Sequence, residues 1–205
     1  MDDKVSLEAL FHLPEGEGPF PGVVVCHPHP SYGGDIDNNV VAAIVRGVVE
    51  AGAAAIRFNF RGVSGSSGVH DNGNGEREDV LATLGVLRKD ERIDERRVGL
   101  AGYSFGASMA IAAAPSSPTV LALALVAPPE ASLATPEAKG YSCPKLLVVG
   151  DQDHVLPADR IQALTKEIPG PVEVQLLPGA DHFLLGYEAT VAERVRSFFA
   201  KALAG

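Results

Sequence analysis

The sequence predicts an α/β fold: a mostly parallel central sheet with helices on both faces, built as a single domain over residues 1–205. Three observations carry that prediction. Short continuous apolar runs, Gly22-Val23-Val24-Val25-Cys26 and Val120 to Val126 foremost, read as strands buried on both faces. Segments with helical spacing lie between them, which makes successive strands parallel. Residues able to do chemistry gather directly after the strands, where open α/β sheets form their crevices.

The elements follow in order. Val5 to Leu13 alternates loosely and stops at Pro14, as an edge strand or hairpin arm does. Gly16 to Pro21 is a turn, and Gly22 to Cys26 the first buried strand. After a loop from His27 to Asp37, Asn39 to Ala51 has helical spacing with Asp37 or Asn38 as its N-cap. Ala53 to Phe60 is the next strand. Arg61 to Gly75 is rich in glycine and serine and too long for a mere connector. Glu76 to Arg88 is an amphipathic helix with acidic residues in its first turn, as the helix dipole favours. Arg97 to Ala101, Val120 to Val126, Lys145 to Val149 and Val172 to Leu176 are strands. Ala158 to Ile168 and Tyr187 to Leu203 are helices, and Ala127 to Ser142 is irregular.

One stretch organises the rest. Val98 to Ala101 runs into Gly102-Tyr103-Ser104-Phe105-Gly106 and then into an alanine-rich run ending at Ala114. That is G-x-S-x-G in the context its chemistry needs, strand, tight turn, helix. A serine hydroxyl is a weak nucleophile unless it is held clear of the backbone beside a base. The flanking glycines let strand and helix close on each other, and the helix N-terminus favours developing negative charge.

Composition narrows the function. A net charge of −9 disfavours nucleic acid and anionic membranes, both of which need a basic footprint. Two cysteines, Cys26 and Cys143, exclude a disulfide scaffold and point to a reducing cytoplasm. Met1-Asp2-Asp3-Lys4 shows neither a basic n-region nor an apolar h-region, so no secretory signal is expected. The longest uncharged apolar stretch, Val120 to Pro129, is far short of a membrane span. No H-x-x-x-H or paired C-x-x-C spacing marks a metal site. The glycines of Gly62 to Ser66 lack a P-loop lysine, so nucleotide binding is not expected.

The chemistry-bearing residues after the strands are His27-Pro28-His29-Pro30 with Gly33-Gly34, then Arg61 to Ser66, Ser104, Asp151 and Asp153, and Asp181-His182. A serine, a carboxylate and a histidine thus occur in that order. Spacing to the strands alone leaves Asp151, Asp153 and Asp181 all open as the acid. Together with Phe58-Asn59-Phe60-Arg61-Gly62, Gly150 to Pro157 and Gly179 to Phe183, these motifs resemble the α/β-hydrolase superfamily, in its small lidless branch of dienelactone-hydrolase-like and carboxylesterase-like proteins.

The resemblance implies Ser104 as nucleophile, Asp153 as triad acid and His182 as base. Asp153 takes the acid's place three residues after Gly150, and Asp151 becomes a turn residue. Phe105 supplies one oxyanion-hole N–H. The second comes from the loop after Cys26, where Pro28 and Pro30 have no N–H to give; His29, Ser31 and Tyr32 remain, and the resemblance to a His-Gly-x loop points to His29, with Pro28 standing where that loop has glycine.

The remaining polar residues get structural assignments. His27 packs under its loop, His12 and His70 are surface or strand-end residues, and His154 faces the pocket rim. Arg61 and Asn59 could bind a substrate carboxylate, but a brace between Arg61 and an acid such as Asp79 is the stronger expectation. Prolines at 128, 129 and 136 in the short interval from Ala127 to Ser142 leave no room for a cap domain, which suits small acyl groups. The expected activity is hydrolysis of short-chain carboxylic esters through an acyl-Ser104 intermediate, with Tyr32, Phe105, Leu156 and Phe183 as pocket walls; thioester, lactone or amide hydrolysis on the same triad, or a non-catalytic binding role on the same fold, are the alternatives. No cofactor or metal is needed for it. The expected partner is a small-molecule ester, and the chain a monomer or homodimer.

Overall fold

The computed structural model describes residues 5–205, so the reading of Met1 to Lys4 lies outside the described residues. Seven strands form one sheet among the described residues: β1 (Ala9–His12), β2 (Phe20–Cys26), β3 (Ala54–Phe58), β4 (Ile93–Tyr103), β5 (Val120–Val126), β6 (Lys145–Gly150) and β7 (Val172–Leu177). Their spatial order is β1-β3-β2-β4-β5-β6-β7. Only β1 runs antiparallel, as the edge position of Val5 to Leu13 suggested.

Alternation along the strands feeds two cores. Val24, Cys26, Val98 and Leu100 face one; Val23, Val25, Ala101 and Tyr103 face the other. The first core is closed by α2 (Asn74–Lys89), α3 (Phe105–Ala113) and α6 (Ala158–Thr165). The second is closed by α1 (Asn39–Glu50) and α7 (Glu188–Ala202), which pack against each other. Asn38, not Asp37, caps α1: its Oδ1 accepts the N–H groups of Val40 and Val41.

Several boundaries differ from the sequence reading by a residue or two, and others by more. Strand β4 starts four residues before Arg97, because Ile93 pairs with Phe20 while the charged Asp94 to Arg96 stretch stays toward solvent. The interval read as irregular holds two single-turn helices, α4 (Glu130–Leu133) and α5 (Pro136–Gly140), anchored by buried Leu133 and Ala138. Helix α6 stops at Thr165. Nothing in the interval rises over the sheet as a cap; Pro129 contributes to the cleft wall.

The topology decides where a crevice opens. The chain leaves β2 for β3 on one side and later crosses to β4 on the other, so their outgoing loops diverge. The carboxyl ends of β2 and β4 lie level, with Cys26 opposite Gly102. The loop after β2 and the turn after β4 therefore face each other across that gap.

Candidate active site

Ser104 follows β4 directly, with φ 53° and ψ −116°. A non-glycine residue seldom adopts positive φ, and such strain persists only where the surroundings impose it. Here close packing imposes it. A Cβ on Gly106 would lie 2.2 Å from the Cys26 carbonyl oxygen and 2.6 Å from that of His27. Helix α3 thus begins against the end of β2, at a distance only glycine permits.

The Ser104 hydroxyl lies 3.0 Å from His182 Nε2, and His182 Nδ1 lies 2.9 Å from Asp153 Oδ2. Sequence separations of 78 and 29 residues close into one hydrogen-bonded line. Two loops bring the last two residues together. A Cβ on Gly150 would meet the Ala180 carbonyl at 2.1 Å, so the loop after β6 lies against the loop after β7. The second oxygen of Asp153 accepts the N–H groups of Val155 (2.7 Å) and Leu156 (3.2 Å).

Burial pushes the Asp153 carboxyl pKa upward, but the bonds and charge of His182 and the two N–H donors outweigh it and hold the group below its ordinary range. Asp153 therefore stays ionised behind His182. The Tyr103 hydroxyl donates to the His182 carbonyl at 3.0 Å and steadies that loop. The line can carry the Ser104 proton to His182 while Asp153 balances the charge formed on the ring.

The competing carboxylates have other partners. Asp151 is exposed and accepts the Gly179 N–H at 2.8 Å. Asp181 accepts the Phe183 N–H at 2.9 Å, shaping its own loop. His154 is exposed and does not line the cleft.

Anion-stabilising donors can be narrowed by elimination. The Phe105 N–H is the first of α3 and so has no helical partner of its own. Across the gap, the Ser31 N–H is bound to His29 Nδ1 (3.1 Å) and the Tyr32 N–H to the His29 carbonyl (3.0 Å). Of the three candidates only the His29 N–H has no partner among the described residues. The His29 and Phe105 rings lie 4.8 Å apart, so their loops are in contact.

A cleft of about 470 Å³ opens over Ser104 and His182. Tyr32, Phe105 and Phe183 line it as expected. Leu156 does not. It is fully buried in the core, and its neighbour Val155 faces the cleft instead. The turn that presents both N–H groups to Asp153 directs the two side chains apart.

His70, expected as a surface or strand-end residue, is half-buried against the cleft loop. Its ring lies 5.0 Å from that of His29 and 5.8 Å from that of Phe105, with Nδ1 2.8 Å from the buried Glu76 carboxylate. His70 thus backs the loop that lines the cleft. Arg61 is held by Asp79, through contacts of 3.1 Å and 3.0 Å from Nε and 2.7 Å from Nη2. Asn59 is committed to the Ile36 N–H (2.9 Å) and to Glu8 (2.7 Å). Neither lines the cleft.

His27 braces the end of β2. Its Nε2 accepts the Phe60 N–H at 3.0 Å, so the ring proton is on Nδ1 and donates to the Pro28 carbonyl at 2.7 Å. Burial drives its pKa down to about 4, against the pull of Pro28 and Asp35. Its stabilisation is complete above the unfolded value of about 6.5 and is lost as pH falls toward the folded value. Urea unfolding should lose about 2 kcal/mol from this group between about pH 7 and pH 5. His27→Gln, less stable at neutrality, should show a shallower acid slope. Equal slopes would refute the linkage.

The model of the family described as "Dienelactone hydrolase family" matches residues 7–196. The chain belongs to the dienelactone hydrolase family. As a member of that family it is an α/β hydrolase, and its similarities agree. An α/β serine hydrolase homologue from Coxiella burnetii is 34% identical, with 96% of this chain and 97% of that one covered and a TM-score of 0.84. A serine hydrolase "without lid" from Xanthomonas campestris is 28% identical, covering 93% and 88%, with a TM-score of 0.78. An uncharacterised protein of Rickettsia prowazekii is 30% identical over 194 residues, 86% of this hydrolase and 81% of its own length. Among the described residues this hydrolase has no group of three or more His, Cys, Asp or Glu side chains that could hold a metal ion. None of its described helices is long and apolar enough to cross a membrane.

Proposed function

We propose that the protein is a carboxylesterase cleaving short-chain esters through an acyl-Ser104 intermediate. The line Ser104–His182–Asp153 opening on an uncapped cleft carries this reading. Ser104 Oγ attacks the ester carbonyl carbon while His182 Nε2 takes its proton. The N–H groups of Phe105 and His29 receive the oxyanion. The tetrahedral adduct collapses, the C–O bond to the alcohol breaks, and His182 returns the proton to the leaving oxygen. A water molecule then repeats the sequence on the acyl-enzyme, freeing the acid and restoring Ser104. Every group required belongs to this chain, so no cofactor enters. Buried, unpaired Cys26 and Cys143 support a cytoplasmic setting.

The test is a series of p-nitrophenyl esters of graded acyl length, run beside a fluorophosphonate probe. Turnover should be highest for the shortest chains, and the probe should label Ser104. Folded protein that neither labels at Ser104 nor cleaves any ester would end the reading.

A further inference from the structure

The cleft wall carries no charged side chain of its own. Among the described residues no Arg, Lys, Asp or Glu lines it. The two residues that could have received a substrate carboxylate are removed from the cleft by their own partners, Arg61 by Asp79 and Asn59 by Glu8 and Ile36. Much of the wall is Pro28, Tyr32, Phe105, Pro129, Val155 and Phe183.

Several of its polar atoms are committed. Asn38 Oδ1 caps α1, the Tyr103 hydroxyl donates to His182, and His29 Nδ1 accepts the Ser31 N–H. Burial, helped by His70 and opposed by Glu76, holds the His29 imidazole below its ordinary pKa, so it is neutral near pH 7. The charges behind the wall are both negative: Asp153, turned toward His182 and two N–H groups, and the buried Glu76 carboxylate behind His70.

We infer that this cleft selects uncharged esters and rejects those that bring a carboxylate against its wall. The inference rests on the ester-hydrolase reading and names the substrate class of the same site. A carboxylate entering here would shed water and meet no cation, only neutral donors such as the Asn38 amide and the Tyr32 hydroxyl, which offset a carboxylate's desolvation far less than a cation would. The net charge of −9 adds a longer-range repulsion that salt screens.

Two aryl acetates of nearly equal size test it: 4-acetoxybenzamide, which is neutral, and 4-acetoxybenzoate, which is anionic. Each kcat/KM is divided by the compound's own hydroxide-catalysed rate, which removes the difference in intrinsic reactivity. The neutral ester should be favoured roughly thirtyfold or more. Val155→Lys, at a partly exposed wall position whose backbone N–H still serves Asp153, should raise the anion's normalised rate relative to the amide by about tenfold. Val155→Met should leave the ratio where it was.

Normalised rates within about threefold of each other, or a preference for the anion, would overturn the selectivity while leaving the esterase reading intact. A ratio that Val155→Lys does not move would overturn the assignment of selectivity to the wall. If wild type turns over neither compound, the esterase reading falls and takes this inference with it.

Discussion

Ser104→Ala should lose about three or more powers of ten in kcat while the protein stays folded. The second half of that expectation follows from the backbone. Alanine keeps the Cβ and meets the same φ of 53°, so the strain at the turn is neither added nor relieved. The change removes one hydroxyl at a partly open position, and its one side-chain bond among the described residues, 3.0 Å to His182 Nε2, is to a ring that solvent can satisfy. Thermal unfolding should therefore move little. His182→Ala should cost as much turnover, because a serine without its base is as inert as no serine. The two losses should not add: once the nucleophile is gone, a base has nothing to activate, and the double variant should sit close to either single one. Additive losses would mean that the two side chains act in separate steps, and the relay drawn between them would be wrong. Residual kcat on p-nitrophenyl acetate, compared across the three variants, measures this directly, and no acyl-enzyme burst should be seen in any of them.

Much of this site could be read from the chain because chemistry follows strand ends in a parallel sheet. Ser104, Asp153 and His182 each come just after an apolar run, and the glycines around them mark the close approaches that bring their loops together. Arg61 and Asp79 were also legible as a pair, since a guanidinium in a glycine-rich loop needs an acid to hold it. What failed to show was side-chain direction within a turn. Val155 and Leu156 are adjacent, both apolar, and alike in sequence. The turn alone decides which one is buried, because both of its N–H groups must reach Asp153 Oδ1. His70 was hidden for a related reason. Its neighbours are His29, 41 positions earlier, and Phe105, 35 later, and no local pattern announces a contact made by folding a loop back. The early start of β4 was masked by Asp94, Glu95 and Arg96, polar residues that stay toward solvent while Ile93 begins the pairing.

Asp153→Asn is the sharper trial of the acid. The two N–H groups of Val155 and Leu156 can be met only by an acceptor, so the amide oxygen of the new side chain must turn toward them. Its NH2 then faces His182 Nδ1, where the carboxylate oxygen stood at 2.9 Å. An amide there donates, so Nδ1 must accept and the ring proton moves to Nε2. That is the nitrogen that has to take the proton of Ser104. The variant should thus keep its fold and its bound geometry and yet lose roughly two to four powers of ten in kcat, with KM nearly unchanged. Asp151→Asn gives the contrast. Its amide oxygen still accepts the Gly179 N–H, the residue is exposed, and nothing about His182 changes, so kcat should stay within about twofold. If Asp151→Asn proved the more damaging of the two, the proton relay would run through a different carboxylate than the one 2.9 Å from His182, and the order of roles along β6 and its loop would have to be reversed.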